Sequence, residues 1–231
     1  MRPEAFAPAD LTPQLLADLL GIPSARAAAR APYLRQALEM AEITTTLRLA
    51  HYLAQIGHET GLLVYRREVW GPTPAQRLYE RDPAAPWPVS LADFQRQRRT
   101  RYNRNRIAYS LGNTRPGDGL RYLGRGDIQC TGRGNHRTLT ARTRARLGEA
   151  APDFEAAPRL LEGAEWASVS GADYWITRRL NTHADADDIL TLTRRINGGV
   201  NGLAHRQALT ARCLTILTGT AGNSLDPHHV R

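Results

Sequence analysis

Leu49, Leu53 and Ile56 recur at helical spacing between Thr46 and Thr60, with Ala50, Ala54 and Gly57 beside them. This stretch therefore predicts an amphipathic helix whose small residues let a second helix approach closely. The same patterning, read with start and stop residues, predicts a helix over 12–20, where Thr12 caps, Pro13 takes the first helical position and Gly21 follows the end. Further helices are expected over 32–41, from Ser90 toward Leu111 with a stop at Gly112, and over 137–147, 162–180, 186–196 and 202–217. Between Gly71 and Pro88 the prolines Pro72, Pro74, Pro83, Pro86 and Pro88 dictate a loop with at most one helical turn around 76–79. Tyr122, Ile128 and Cys130 indicate a short strand or hairpin within 120–131, weakened by Gly124 and Gly126. The expected fold class is mainly α with one small β-hairpin element. It forms a single catalytic domain over 1–218, on which the helices of 12–42 pack, and a loose tail over 219–231.

Composition narrows the class. A chain of 231 residues with 42% hydrophobic content can bury one well-formed core. Its apolar runs are short; even Leu47 to Ile56 contains Arg48 and His51, so no membrane span is expected. The first twenty residues carry Pro3, Glu4, Pro8, Asp10 and Pro13 where a secretory signal needs a basic start and an unbroken apolar stretch. Work outside the cytoplasm would then require another exit route. Cys130 and Cys213 stand far apart with no partner at metal-ligand spacing, which predicts free, buried thiols. The net charge is +9, carried by arginine alone, and favours a polyanionic partner: nucleic acid, anionic wall polymer and outer-membrane lipid all qualify.

The candidate chemistry lies at the end of the Thr46–Thr60 helix. Glu59 closes an apolar helix, where partial burial favours the protonated form that a general acid needs. Glu68 follows nine residues later; on a continuous helix, at about 100° per residue, the two carboxylates would face apart. They can cooperate only if the helix ends between them, and Gly61 supplies the break. Two facing carboxylates are what glycoside hydrolysis requires. Spacing alone is weak evidence and favours reading them as capping or surface glutamates.

The segment Ala54-Gln55-Ile56-Gly57-His58-Glu59-Thr60-Gly61 resembles the catalytic-acid motif of family 19 glycoside hydrolases. Arg67-Glu68-Val69-Trp70-Gly71-Pro72-Thr73-Pro74-Ala75-Gln76 resembles the second-carboxylate segment of the family's bacterial and phage branch. Leu111 to Thr114, Gly117 to Gly119 and Tyr122 to Asn135 resemble its central hairpin; Thr193 to Leu203 with His205-Arg206 resembles its late loop and helix. The blocks are collinear over 47–217.

That resemblance implies a lysozyme-like, two-lobed helical fold and an inverting reaction on β-1,4-linked N-acetylated sugars, with no cofactor or metal. It implies Glu59 as acid, Glu68 as base and Thr131 as the hydroxyl that holds the attacking water. Arg125, Gln129, Asn197 and Arg206 fall at positions that bind sugar or orient the carboxylates, and His58, Tyr122 and Asn135 are carried over as further substrate contacts. Trp70, beside Glu68 in the loop, is a candidate sugar platform, whereas Trp166 and Trp175 sit in an apolar helical pattern and are expected in the core. An arginine close to Glu68 is expected to keep that base ionised while Glu59 stays drier and protonated. Three positions depart from the pattern: Leu62 replaces a common glycine, Asp127 an apolar residue and His136 a tyrosine. Asp127 is expected to point to solvent.

Other readings fall away on the residues. His58-Glu59 lacks the second histidine of a zinc-protease motif, since position 62 is leucine. Gly124-Arg125-Gly126 is not completed into a nucleotide-binding glycine pattern, because position 129 is Gln129. The arginine run of Gln95 to Arg106 fits a solvated helix face, a phosphate-binding surface, or attachment of Arg96 to Arg106 to anionic wall polymer or outer membrane. The expected partner is peptidoglycan and not nucleic acid, with chitin as the alternative substrate. A monomer of endolysin type is expected, reaching the wall with the help of a holin-like partner.

Overall fold

A computed structural model of the protein describes residues 4–88, 90, 92, 93, 95 and 105–219. Among these residues eleven α-helices form, and β structure is limited to isolated bridges, so the fold is mainly α. The chain divides into two compact units, Met1–Tyr65 with Tyr174–Arg231, and Arg66–Asp173. The stretch expected as a single domain is thus built from both.

The first unit centres on the helix that ends at Glu59. Helix α1 (Pro13–Leu20) starts and stops where the residues predict: the Thr12 hydroxyl accepts the Leu15 N–H at 3.0 Å, and Gly21 ends it at φ 63°. Helix α2 (Ser24–Met40) begins well before the expected start at Pro32, which lies inside it. The alanines at 25, 27, 28, 29 and 31 have the highest helix propensity and offset the amide lost at the proline. Helix α3 (Thr46–Glu59) is buried at every position from Leu49 to Gly57. Close approach at Gly57 is real: a Cβ there would lie 3.3 Å from Leu20 and from Leu209.

The second unit contains α4 (Pro74–Arg77), α5 (Arg106–Ser110), α6 (Asp118–Arg121) and α7 (Arg133–Leu147). Helix α7 starts four residues before the expected Arg137. Leu139, Phe154 and Leu161 form its buried cluster, with Trp166 and Cys130 packed against them. Asp118 and Glu155 receive Arg133 at 2.5 and 3.2 Å, tying α6 and α7 together. Helix α8 (Ala164–Thr177) runs from this unit back into the first. There Trp175, 1% exposed, meets the Tyr52 ring edge-on at 5.1 Å, as its apolar pattern predicts. The helix expected over 186–196 is α10 (Ile189–Asn197), and a short helix, α9 (Asn181–Asp185), occupies the expected break before it; the two are separated where Asp187 takes φ 53°. Helix α11 (Leu203–Leu217) closes the described chain. Of the helix expected from Ser90 to Leu111, residues 91, 94 and 96–104 lie outside the described residues, as does the tail beyond 219.

The expected hairpin over 120–131 contracts to a tight reversal. Arg125 and Cys130 exchange backbone hydrogen bonds at 3.2 and 2.7 Å, and no longer strand follows. Gly126, at φ 94°, takes the chain out of β conformation, and a side chain there would run into Ser170. The outer edge of the reversal pairs with the chain before it: Glu68 N–H donates to Gly124 O at 2.8 Å and Gly126 N–H to Arg66 O at 3.0 Å.

Candidate active site

On the first unit, Glu59 is the last residue of α3. Thr60 turns its hydroxyl back to Ile56 O at 2.6 Å and accepts the Leu63 N–H at 2.8 Å. Gly61, Leu62 and Leu63 then all take left-handed φ, at 57°, 60° and 65°. The break expected at Gly61 therefore extends over three residues, and the family glycine that Leu62 replaces falls where glycine alone is free of strain.

Arg206, on α11, is fully buried; its two terminal nitrogens bind Gln55 Oε1 and Glu59 Oε1. Gln55 is one helical turn before Glu59 and fully buried. The arginine expected beside Glu68 thus stands on Glu59 instead. The Glu59 side chain is 19% exposed, and among the described residues its second oxygen, Oε2, receives no hydrogen bond. Arg206 orients the carboxyl by one oxygen and leaves the other able to meet a ligand.

His58 Nδ1 lies 2.9 Å from His205 Nδ1. Burial, then the Arg206 charge, holds His58 below the usual histidine range, so its ring is neutral near pH 7. The ring rests on Gly202, which caps α11 at φ 72°; a Cβ there would occupy the imidazole's place. Gly202→Ala is expected to cost about 1–2 kcal/mol from the left-handed backbone alone and to displace His58. A lowered apparent Tm together with reduced hydrolysis would show it; an unchanged Tm would contradict it. Burial chiefly, and the Glu59 charge in addition, push the Tyr174 phenol above its ordinary range. Its hydroxyl donates to Arg195 O at 2.8 Å, near the end of α10. Asn197, the last residue of that helix, is exposed.

On the second unit, Gln76 Nε2 donates to Glu68 Oε1 at 2.9 Å, and the Gly124 N–H donates to Oε2 at 3.2 Å. Gln76 is 4% exposed because it also anchors its loop: it donates to Val69 O and accepts from Gly71 and Thr73 N–H. Thr73 and Gln76 form a capping box that starts α4. Gln76 was not among the residues singled out from the sequence, although the Thr-x-x-Gln spacing carries that signal. Gly124 is the meeting point of the loop. A Cβ there would lie 2.5 Å from Gln129 Oε1 and 3.0 Å from Thr131 Oγ1, so Glu68, Gln129 and Thr131 gather around one glycine. Asn135 holds the Thr131 carbonyl at 2.6 Å. Trp70 is half-buried, its ring 6.4 Å from Tyr79, whose phenol is pushed up by burial and by the Glu68 charge.

Tyr122, carried over as a substrate contact, lies in the interior. It is 1% exposed, donates to Glu155 O at 2.9 Å and lies edge-on to His136 at 5.1 Å. Arg133 covers it at 4.8 Å, so the ring supports the loop from within. His136 shares that interior, where burial pushes it down to about 4. Asp127, expected in solvent, is fully buried and accepts from Ser168 Oγ at 3.3 Å; the turn at Gly126 sends it inward. Arg125 is 3% exposed and bound to Glu162 at 2.7 Å. Both cysteines are free; Cys213 is buried and Cys130 half-buried, and burial pushes each thiol up to about 12. Among the described residues, no group of three His, Cys, Asp or Glu side chains is arranged to hold a metal ion, and no helix is long and apolar enough to cross a membrane.

No protein-family model matches the chain. Among characterised sequences it is 35% identical over 178 residues to a glycosyl hydrolase family 19 domain-containing protein of Haemophilus influenzae, covering 73% of this chain and 80% of that one. Identity at this level over most of both chains decides the family: the protein belongs to glycosyl hydrolase family 19 and is a glycoside hydrolase.

Proposed function

We propose that the protein is an endolysin-type hydrolase that cuts β-1,4 bonds of bacterial peptidoglycan with inversion. Glu59 protonates the leaving oxygen through Oε2, Glu68 removes a proton from water, and Thr131 holds that water. The observation that carries this reading is the contrast between the carboxyls. Glu68 accepts two hydrogen bonds, from Gln76 and Gly124, which hold both of its oxygens in place. Glu59 keeps one oxygen without a hydrogen bond among the described residues. The net charge of +9 supports an anionic polymer over neutral chitin. Of the stretch Arg96 to Arg106, read as a wall-attachment surface, residues 96–104 lie outside the described residues.

Two measurements test the proposal. Clearing of outer-membrane-permeabilised Gram-negative cells is expected to exceed release of sugar from colloidal chitin; the reverse order would assign chitin as the substrate. NMR of freshly formed product is expected to show the α-anomer first, since inversion of a β bond yields it. Initial β-anomer would exclude Glu68 as a base acting on water.

A further inference from the structure

The second unit contains a cavity of about 700 Å³ walled by Arg67, Arg121, Arg125 and Arg159, with Leu120 and Pro158 beside them. Arginine supplies all of its charged lining. A neighbouring cavity of about 610 Å³ differs: Asp118, Asp153 and Glu155 there face Arg115, Arg121 and Arg133. Outside the lining of the arginine cavity one carboxylate, Glu162, serves Arg125 at 2.7 Å. Arg67 and Arg159 are exposed, and neither side chain makes an ion pair or hydrogen bond among the described residues.

Two of the four cations are fixed in place. Arg125 is 3% exposed, its Nε on Glu162 and its Nη1 on the carbonyls of Arg121 and Leu123, at 2.9 and 3.1 Å. Its Nη2 makes no hydrogen bond among the described residues. Arg121 donates to Ala156 O at 2.9 Å and to the Tyr122 hydroxyl at 3.2 Å. Like charges gathered with so little compensation repel, and an oxyanion relieves that repulsion through charge-assisted hydrogen bonds to guanidinium forks.

The cavity lies close in the chain to the proposed base. Arg67 precedes Glu68, and Arg125 follows Gly124, whose N–H holds the Glu68 carboxylate. Neighbouring residues are about 3.8 Å apart along the chain and extended segments alternate their side chains between faces. In the paired segments 66–68 and 124–126 Arg67 and Arg125 therefore share the face opposite Glu68, one residue away from it along the backbone, and a ligand that meets both passes around the edge of the pair. A peptide of a few residues spans roughly 3.3 Å for each, enough to pass from a sugar near Glu68 to the cavity.

We propose that this cavity binds a carboxylate of the peptide carried by the glycan substrate, making it a specificity site for peptide-bearing over neutral polysaccharide. The inference rests on the peptidoglycan reading above. The test uses Arg67→Gln/Arg159→Gln, both at exposed positions, and purified peptidoglycan either untreated or with its carboxyl groups capped as neutral amides. The double variant is expected to lose about tenfold in kcat/KM on untreated polymer, mainly through KM. The wild type should lose a similar factor on capped polymer, and the variant no more. Equal rates for variant and wild type on untreated polymer would overturn the cavity's role while leaving the peptidoglycan reading intact.

An NMR titration with soluble N-acetylmuramyl dipeptide and with inorganic phosphate decides the cavity independently of hydrolysis. Shifts of arginine Nε–H signals with the dipeptide, absent in the variant, support the proposal. Response to phosphate alone would overturn the carboxylate assignment. If the enzyme degrades chitin and not peptidoglycan, the functional reading fails, and the dipeptide titration still decides whether the cavity binds a carboxylate.

Discussion

Glu59→Gln is expected to lower turnover of the glycan substrate by about 10²–10⁴-fold, the usual contribution of a general acid, while the folded state survives. The amide keeps an oxygen for Arg206, so the buried guanidinium is not stranded, and the side chain retains its size. What is lost is the proton that Oε2 would deliver. Substrate affinity should change little, so the fall belongs to kcat. Clearing of permeabilised cells by the variant at the wild-type rate would remove Glu59 from the mechanism, and circular dichroism would show whether a loss of activity reflects unfolding.

Arg206→Met should damage stability and activity together. The side chain is fully buried and bridges Gln55 and Glu59. Methionine fills the volume but leaves Gln55 Oε1 buried without its donor and Glu59 without its orienting partner. Breaking a buried pair by removing one member costs about 3–5 kcal/mol; because Glu59 can regain some water, about 2–4 kcal/mol is expected here. For a chain of this length that lowers the apparent Tm by roughly 4–16 °C. Arg206→Lys discriminates a positioning role from packing. A single ammonium cannot reproduce the two-pronged contact, so the lysine variant should recover part of the stability and little of the kcat. Full recovery of kcat by lysine would show that only charge matters at this position.

The legible parts of this protein were the local ones. The stripe Leu49, Leu53, Ile56 located α3, and Gly61 located its end. Thr12, Pro13 and Gly21 bounded α1 because each acts within one turn of itself. Pro32 misled, since its effect on a helix depends on the alanines around it and on packing of the whole of α2. Within 120–131, glycines erase the alternation that would tell inside from outside, and so the burial of Asp127 is not legible from the sequence. Gln76 carried a readable capping signal, but its reach to Glu68 depends on how the proline-rich loop folds back.

The sequence by itself determined a mainly helical glycosidase with Glu59 at a helix end and Glu68 beyond a break, because helix periodicity, caps and collinear motifs are encoded by near neighbours. Tertiary structure alone decided which groups hold each carboxyl. Arg206 is 147 residues from Glu59, and Gly124 is 56 from Glu68. No spacing rule connects such pairs; they meet because α11 buries its arginine against α3 and because the Gly124 backbone pairs with residue 68. Hydrogen bonds act over about 3 Å, and only the folded chain brings these groups within that distance.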